Sequence, residues 1–194
     1  MFELPTTITV NGIEYPIRNN GDYRMIFDVF SALNDDELDN SLRIVTALII
    51  FLDGMNDIED VLIAFPNEKS LEAATISMFA FINCGQDDTL GVHTKAGVID
   101  WEQDQQIVAG AVNAVANLEI RSLPYLHWWT FMGYFMGIGE GVFSTIVNIR
   151  SKIKENKKLE KYEQEFRRDN PQYFMVRRTS AEKDFDEELR RMWE

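Results

Sequence analysis

The chain has 194 residues, enough for one domain with a real core or one domain plus an appendage. Hydrophobic residues make up 45% of it, which excludes a disordered chain. Net charge is −13, unevenly spread. Residues 1–120 hold 20 acidic and 5 basic side chains (−15), and residues 121–194 hold 12 and 14 (+2). This argues against a nucleic-acid binder, which needs a concentrated positive face. It fits a solvated acidic surface and leaves open charge-guided, head-to-tail self-association.

Thr6–Val10 and Ile13–Ile17 flank Asn11-Gly12, the pattern of a two-residue hairpin with a type I′ turn. The register opposes Val10 to Ile13, Ile8 to Tyr15 and Thr6 to Ile17. It puts Ile8, Val10, Ile13, Tyr15 and Ile17 on one face that helices must cover. Pro16 suits an edge strand. Asp22 then caps a helix from Tyr23 to Asn34 through Met25, Ile26, Val29, Phe30 and Leu33. A second helix is expected to open near Asn34-Asp-Asp-Glu37 and run through Leu38, Leu42, Val45 and Ile49 to about Asp53, stopped by Gly54. A third spans Asp57–Phe65 before Pro66. A fourth spans Asn67–Asn83, with Leu71, Ile76, Phe79 and Ile82 as its apolar face.

Gly85–Gly97 reads as a loop or a loose hairpin. Asp100 is expected to cap a fifth helix with Ile107, Val108, Ala111, Val112 and Val115 inward. Its small residues (Ala109, Gly110, Ala114, Ala116) permit close packing. A sixth helix is expected to start near Pro124 and to end in Gly137-Ile-Gly-Glu-Gly141. Its positions Trp128, Phe131, Met132 and Phe135 recur at i, i+3, i+4 and i+7. Trp129, Tyr134 and Met136 make the rest apolar, so it should be buried nearly all round and anchor the core. A seventh helix runs from about Glu140 to Asp169, with Phe143, Ile146, Ile149 and Ile153 as its stripe. The six-residue step from Ile153 to Leu159 predicts a bend or break near Asn156, or a change of facing surface, and Pro171 ends the helix. Thr179-Ser-Ala-Glu182 is a capping box before an amphipathic segment with Phe185, Leu189, Met192 and Trp193. The expected architecture is therefore mainly α: six to eight helices over residues 1–170 with an N-terminal β-hairpin at 6–17, then a C-terminal amphipathic extension over 171–194.

Chemistry is mostly declined by the residues. A lone cysteine, Cys84, allows no internal disulfide and reads as a small hydrophobe at a helix end. His127 lies among aromatics and reads as a satisfied core or boundary histidine. His93 with Asp87 and Asp88 matches no common metal spacing. Gly137-x-Gly139-x-Gly141 lacks the preceding strand of a phosphate loop and reads as a hinge and close-packing site. No catalytic, cofactor-binding or metal-binding residue is expected. The basic cluster Arg150–Lys161, interleaved with Glu155 and Glu160, reads first as a solvated mixed-charge helix, then as a protein-binding face, and last as a nucleic-acid contact. The opening residues lack a secretory pattern, and the apolar runs Ile44–Leu52 and Tyr125–Ile138 are shorter than a membrane span, so a soluble protein is expected.

Three segments resemble the "gene product fifteen" family of long-tailed phages and prophages. They are Asp100-Trp-Glu-Gln-Asp104, Leu126-His-Trp-Trp-Thr-Phe131, and Ile149-Arg150 with the Lys/Glu-rich helix after it. The resemblance implies a non-enzymatic tail-assembly chaperone in the host cell cytoplasm. Such a protein self-associates and coats the tape-measure protein while tube subunits assemble. A structural tail or neck component is the alternative. The family supplies no catalytic residue and does not fix the binding residues. The stripes able to meet a partner helix are Leu159, Tyr162 and Phe166, and Phe185, Leu189 and Trp193. Folding of each stripe onto its own domain is the equal alternative.

Overall fold

The computed structural model describes residues 3–85 and 98–175. Among these it is mainly helical with an N-terminal antiparallel hairpin, as the patterning predicts. The elements are β1 (Thr7–Val10), β2 (Ile13–Pro16), α1 (Tyr23–Leu33), α2 (Asn40–Phe51), α3 (Ile58–Ala64), α4 (Glu68–Ile82), α5 (Gln105–Ala116), α6 (Trp128–Met136), α7 (Val142–Lys154) and α8 (Lys161–Asp169). The chain divides into two compact units, the first ending at Thr145 and the second beginning at Ile146.

The hairpin has the expected register: Val10 faces Ile13 and Ile8 faces Tyr15. Asn11 and Gly12 both take positive φ, as a type I′ turn requires. The Ile17 amide donates to the Thr6 carbonyl at 2.8 Å, extending the pairing by one step. Ile8, Val10 and Ile17 are buried, and the Tyr15 ring lies 5.0 Å from that of Phe65. Ile13 departs from expectation: at the turn end of the same face it is left uncovered, 58% exposed. β1 lies on α4, where the Ser77 hydroxyl donates to the Thr9 carbonyl at 3.1 Å. The other strand leads into the end of α2, through the Ile17–Leu52 bridge and an Asp53 amide donating to Pro16 O.

Helix starts follow capping chemistry. The side chains of Asp22, Asp39, Asp57 and Asn67 accept amides in the first turns of α1, α2, α3 and α4, and Ser70 completes a capping box at α4. Three expected starts move later. The second helix begins at Asn40 instead of Asn34, because Asp39 accepts the Ser41 and Leu42 amides, while Asp35 accepts the Glu37 amide in a separate turn. The fifth begins at Gln105, since Asp100 accepts the Glu102 and Gln103 amides in a preliminary turn and Asp104 flanks the helix. The sixth begins at Trp128, not Pro124, because the backbone at Leu126 is engaged in a bridge to the start of α1.

Three faces also differ. In α4 the buried residues are Ala74, Met78, Phe81 and Ile82, whereas Ile76 is 62% and Phe79 38% exposed. The small Ala74 sits at the centre of the inward face, so the stripe cannot be found by size of side chain. In α6, Trp128, Phe131 and Phe135 are buried, but Trp129, Met132 and Tyr134 are half-buried and Met136 is exposed. That helix is one-sided and not buried all round. In α5, Val108, Ala109 and Val112 are buried, while Val115 is exposed.

The expected single helix over 140–169 is two. Its break falls where the spacing changes: Asn156 takes φ 53°, and the Lys157 amide donates back to Lys152 O at 2.8 Å. A left-handed residue followed by this long back-bond is a Schellman-type stop, which asparagine tolerates better than most side chains. Phe143, Ile146 and Ile149 are buried; Ile153, next to the stop, is exposed.

Candidate functional site

The most organised polar structure in the first unit is built by Leu126–Phe131, the segment that carries the family resemblance. The Tyr23 amide donates to Leu126 O at 3.0 Å, and the Leu126 amide donates to Asp22 Oδ2 at 2.9 Å. His127 is 1% exposed. Its Nδ1 accepts the Trp129 amide at 3.0 Å, capping α6. Its Nε2 lies 2.9 Å from Pro5 O, which can only accept, so the ring is neutral with its proton on Nε2. Burial holds its pKa below the ordinary histidine value, partly offset by the Pro5 bond and Asp22. The next two side chains finish α4: Trp128 Nε1 donates to Ile82 O at 2.8 Å and Trp129 Nε1 to Phe81 O at 2.9 Å. These are carbonyls at a helix end, beyond the reach of an i+4 amide within the helix, and Phe81 O also accepts the Cys84 amide at 2.9 Å. Phe131 stacks on Tyr23 at 4.9 Å. Trp128 lies among Phe27, Phe30, Trp101 and Phe131. Five of these six residues thus tie the N-terminal segment, the start of α1 and the end of α4 to α6. The segment acts as a structural joint.

Arg18, which carries no sequence signal, does similar work at α2. Its guanidinium donates to the carbonyls of Ile49, Ile50, Leu52 and Met55. Arg24 is likewise committed, to Asp22 and to Leu123 O. The polar hollow of about 540 Å³ between Arg18, Asn20, Asp28 and Tyr125 therefore has both its arginines engaged by the protein itself. Cys84 is half-buried at the end of α4, and burial pushes its thiol up to about 11, far from nucleophilic use at neutral pH. Among the described residues no group of three or more His, Cys, Asp or Glu is arranged for a metal, and no helix is long and apolar enough to cross a membrane. His93, Asp87 and Asp88 lie outside the described residues.

An apolar cleft of about 350 Å³ runs between α5 and residues 138–143, lined by Ile107, Ala111, Val115, Ile138, Val142 and Phe143. Gly137 closes α6 at its edge, where a Cβ would come within 3.1 Å of Val115 Cγ1. The expected close packing of the glycine run holds at Gly137 alone: a Cβ at Gly139 or Gly141 would meet nothing within 4 Å.

In the second unit, α7 and α8 are joined through Glu163, whose side chain is fully covered. It accepts Lys152 Nζ at 2.7 Å, Asn148 Nδ2 at 3.2 Å and the Glu160 amide at 2.8 Å. The Lys152 ammonium is the main reason its carboxyl sits below the usual range. The Glu160-x-x-Glu163 spacing is a capping box readable in the sequence, though its burial is not. Arg150 Nε donates to Tyr173 O at 2.7 Å. Around this clamp, Tyr162 is 61% exposed, while Leu159 and Phe166 are half-buried; the Phe166 ring stands edge-on to Phe174 at 6.3 Å. Leu159 precedes the helix, so these three do not form one continuous helical stripe. Phe185, Leu189 and Trp193 lie outside the described residues.

The fold and these joints define a mainly helical protein with an N-terminal hairpin, whose polar side chains, in the regions above, serve architecture. The chain matches the family model described as "Bacteriophage Gp15 protein" over residues 1–175, and it belongs to that family. Neither a curated protein nor a solved structure matches it.

Proposed function

We propose that this protein is a non-enzymatic tail-assembly chaperone, acting in the host cytoplasm, that self-associates and binds the tape-measure protein during tail assembly. The observation that carries this reading is membership of the phage Gp15 family over residues 1–175. The physical basis would be burial of a partner's amphipathic face on apolar surface, with charge setting orientation. The α5 cleft and the exposed Tyr162, with Leu159 and Phe166 beside it, are compatible with that role. Phe185, Leu189 and Trp193 are proposed as a second contact from their spacing alone.

Co-expression with the tape-measure protein of the same phage or prophage is the test. Copurification as a defined complex is expected; a folded protein that fails to copurify overturns the reading. Mass spectrometry of purified particles separates the chaperone from a structural tail or neck component. The chaperone is absent from particles or present in traces, whereas stoichiometric presence favours the structural role.

A further inference from the structure

The solvent side of α3 has an unusual composition for a helix that faces only water. At about 100° per residue, Leu62, Glu59 and Ile63 share the face turned away from the buried Val61, with Ile58 at its edge. Ile58, Leu62 and Ile63 are 47%, 53% and 72% exposed. Surface helices normally set polar side chains there, and clustered apolar exposure rimmed by charge marks contact with another protein. The rim has one sign. Asp57 caps α3 and Glu59 and Asp60 stand in its first turn, with no cation between Asp57 and Phe65. Asp57 and Asp60 accept amides at the start of α3, which leaves the exposed Glu59 at the centre of the aliphatic face.

We propose that the solvent face of α3 docks a basic amphipathic helix of another protein. The partner's aliphatic stripe covers Ile58, Leu62 and Ile63, and its lysines or arginines meet Glu59 and the acidic rim. Charge complementarity selects this occupant. The same rim repels nucleic acid and anionic lipid, and an acidic or neutral helix would cover the apolar face while leaving Glu59 desolvated and unpaired. The face is two helical turns long, so specificity must come from the combination of stripe and charge. It is a different set of residues from those assigned to the tape-measure protein above, and it stands whether or not that assignment does.

The test uses the full chain and two fluorescent peptides of about 18 residues, long enough for five turns. One has leucine and lysine at helical spacing; the other has the same composition in scrambled order. Anisotropy is expected to show saturable binding of the first, weakened about tenfold for the scrambled isomer and about tenfold by Leu62→Gln combined with Ile63→Gln. Glu59→Gln is expected to weaken binding and reduce its salt dependence. All three side chains are exposed, so melting temperatures should be unchanged and a loss of binding is not a loss of fold. Equal binding of both peptides, or binding indifferent to Leu62→Gln/Ile63→Gln, overturns the proposal. So does a wild-type oligomer that this double variant dissociates, because a second copy would then be the occupant. No phage sequence is in the probe, so a failed tape-measure copurification leaves this result unaffected.

Discussion

Replacing Trp128 separates two contributions that its position combines. The indole is 1% exposed, packed among Phe27, Phe30, Trp101 and Phe131, and its N–H satisfies the Ile82 carbonyl at the end of α4. Trp128→Ala removes both and should cost about 3–5 kcal/mol. That is a large share of the roughly 5–15 kcal/mol by which domains are stable. Trp128→Phe keeps most of the ring contacts but leaves the Ile82 carbonyl only the weak Cys84 thiol donor at 4.0 Å, for about 1–3 kcal/mol. Trp129→Phe removes the matching bond to Phe81 O, but that bond is only partly buried and water can replace it, so about 0.5–1.5 kcal/mol is expected. Urea denaturation followed by far-UV circular dichroism gives each value from the shift in midpoint at constant slope. The order Trp128→Ala, Trp128→Phe, Trp129→Phe is the content of the prediction. A Trp128→Phe variant as stable as wild type would show that the bond to α4 contributes nothing. A Trp128→Ala cost below about 1 kcal/mol would remove the tryptophan from the core altogether.

Arg18→Met keeps the stem and deletes the donors to the end of α2; a loss of about 1.5–3 kcal/mol is expected in the same titration, and a neutral result would mean water caps that helix as well. Gly21 and Gly12 both have positive φ, but a Cβ at Gly21 would sit 2.7 Å from Phe81 Cζ whereas one at Gly12 meets nothing. Gly12→Ala should therefore cost about 1–2 kcal/mol and Gly21→Ala distinctly more, and equal thermal shifts would refute the clash. Because burial lowers the His127 pKa, the unfolded chain binds this proton at higher pH than the folded one. Its contribution to stability is complete above about pH 6.5 and is lost as pH falls from there through the depressed folded pKa. His127→Asn should flatten that part of the stability–pH curve, and an unchanged slope would show that His127 is not its source.

Local chemistry was legible wherever the deciding interaction lies within a few residues. Asn11-Gly12 set the hairpin and its register, Asp22, Asp57 and Asn67 set helix starts, and the six-residue step after Ile153 located the stop at Asn156. The errors came where a distant partner competes. Pro124 is a good first residue for a helix, but the backbone of Leu126 pairs with Asp22 and Tyr23, about a hundred positions earlier, and delays the start to Trp128. In α4, hydrophobic size pointed to Ile76 and Phe79, yet the inward face is the one that presents Ala74 and Met78, and the larger residues stay in solvent.

The same division holds for function. Leu126-His-Trp-Trp-Thr-Phe131, together with Asp100–Asp104 and Ile149-Arg150, pointed to the phage Gp15 family to which the chain belongs, because identity resides in the sequence itself. What those residues do was decided only by the tertiary structure. The reach of His127 to Pro5 and the two indoles closing α4 are contacts across 46 to 122 positions, which no local pattern encodes. Exposure is also a tertiary property. Ile58, Leu62 and Ile63 look like core residues in the sequence, and only the packing of Val61 on the other side of α3 leaves them facing outward.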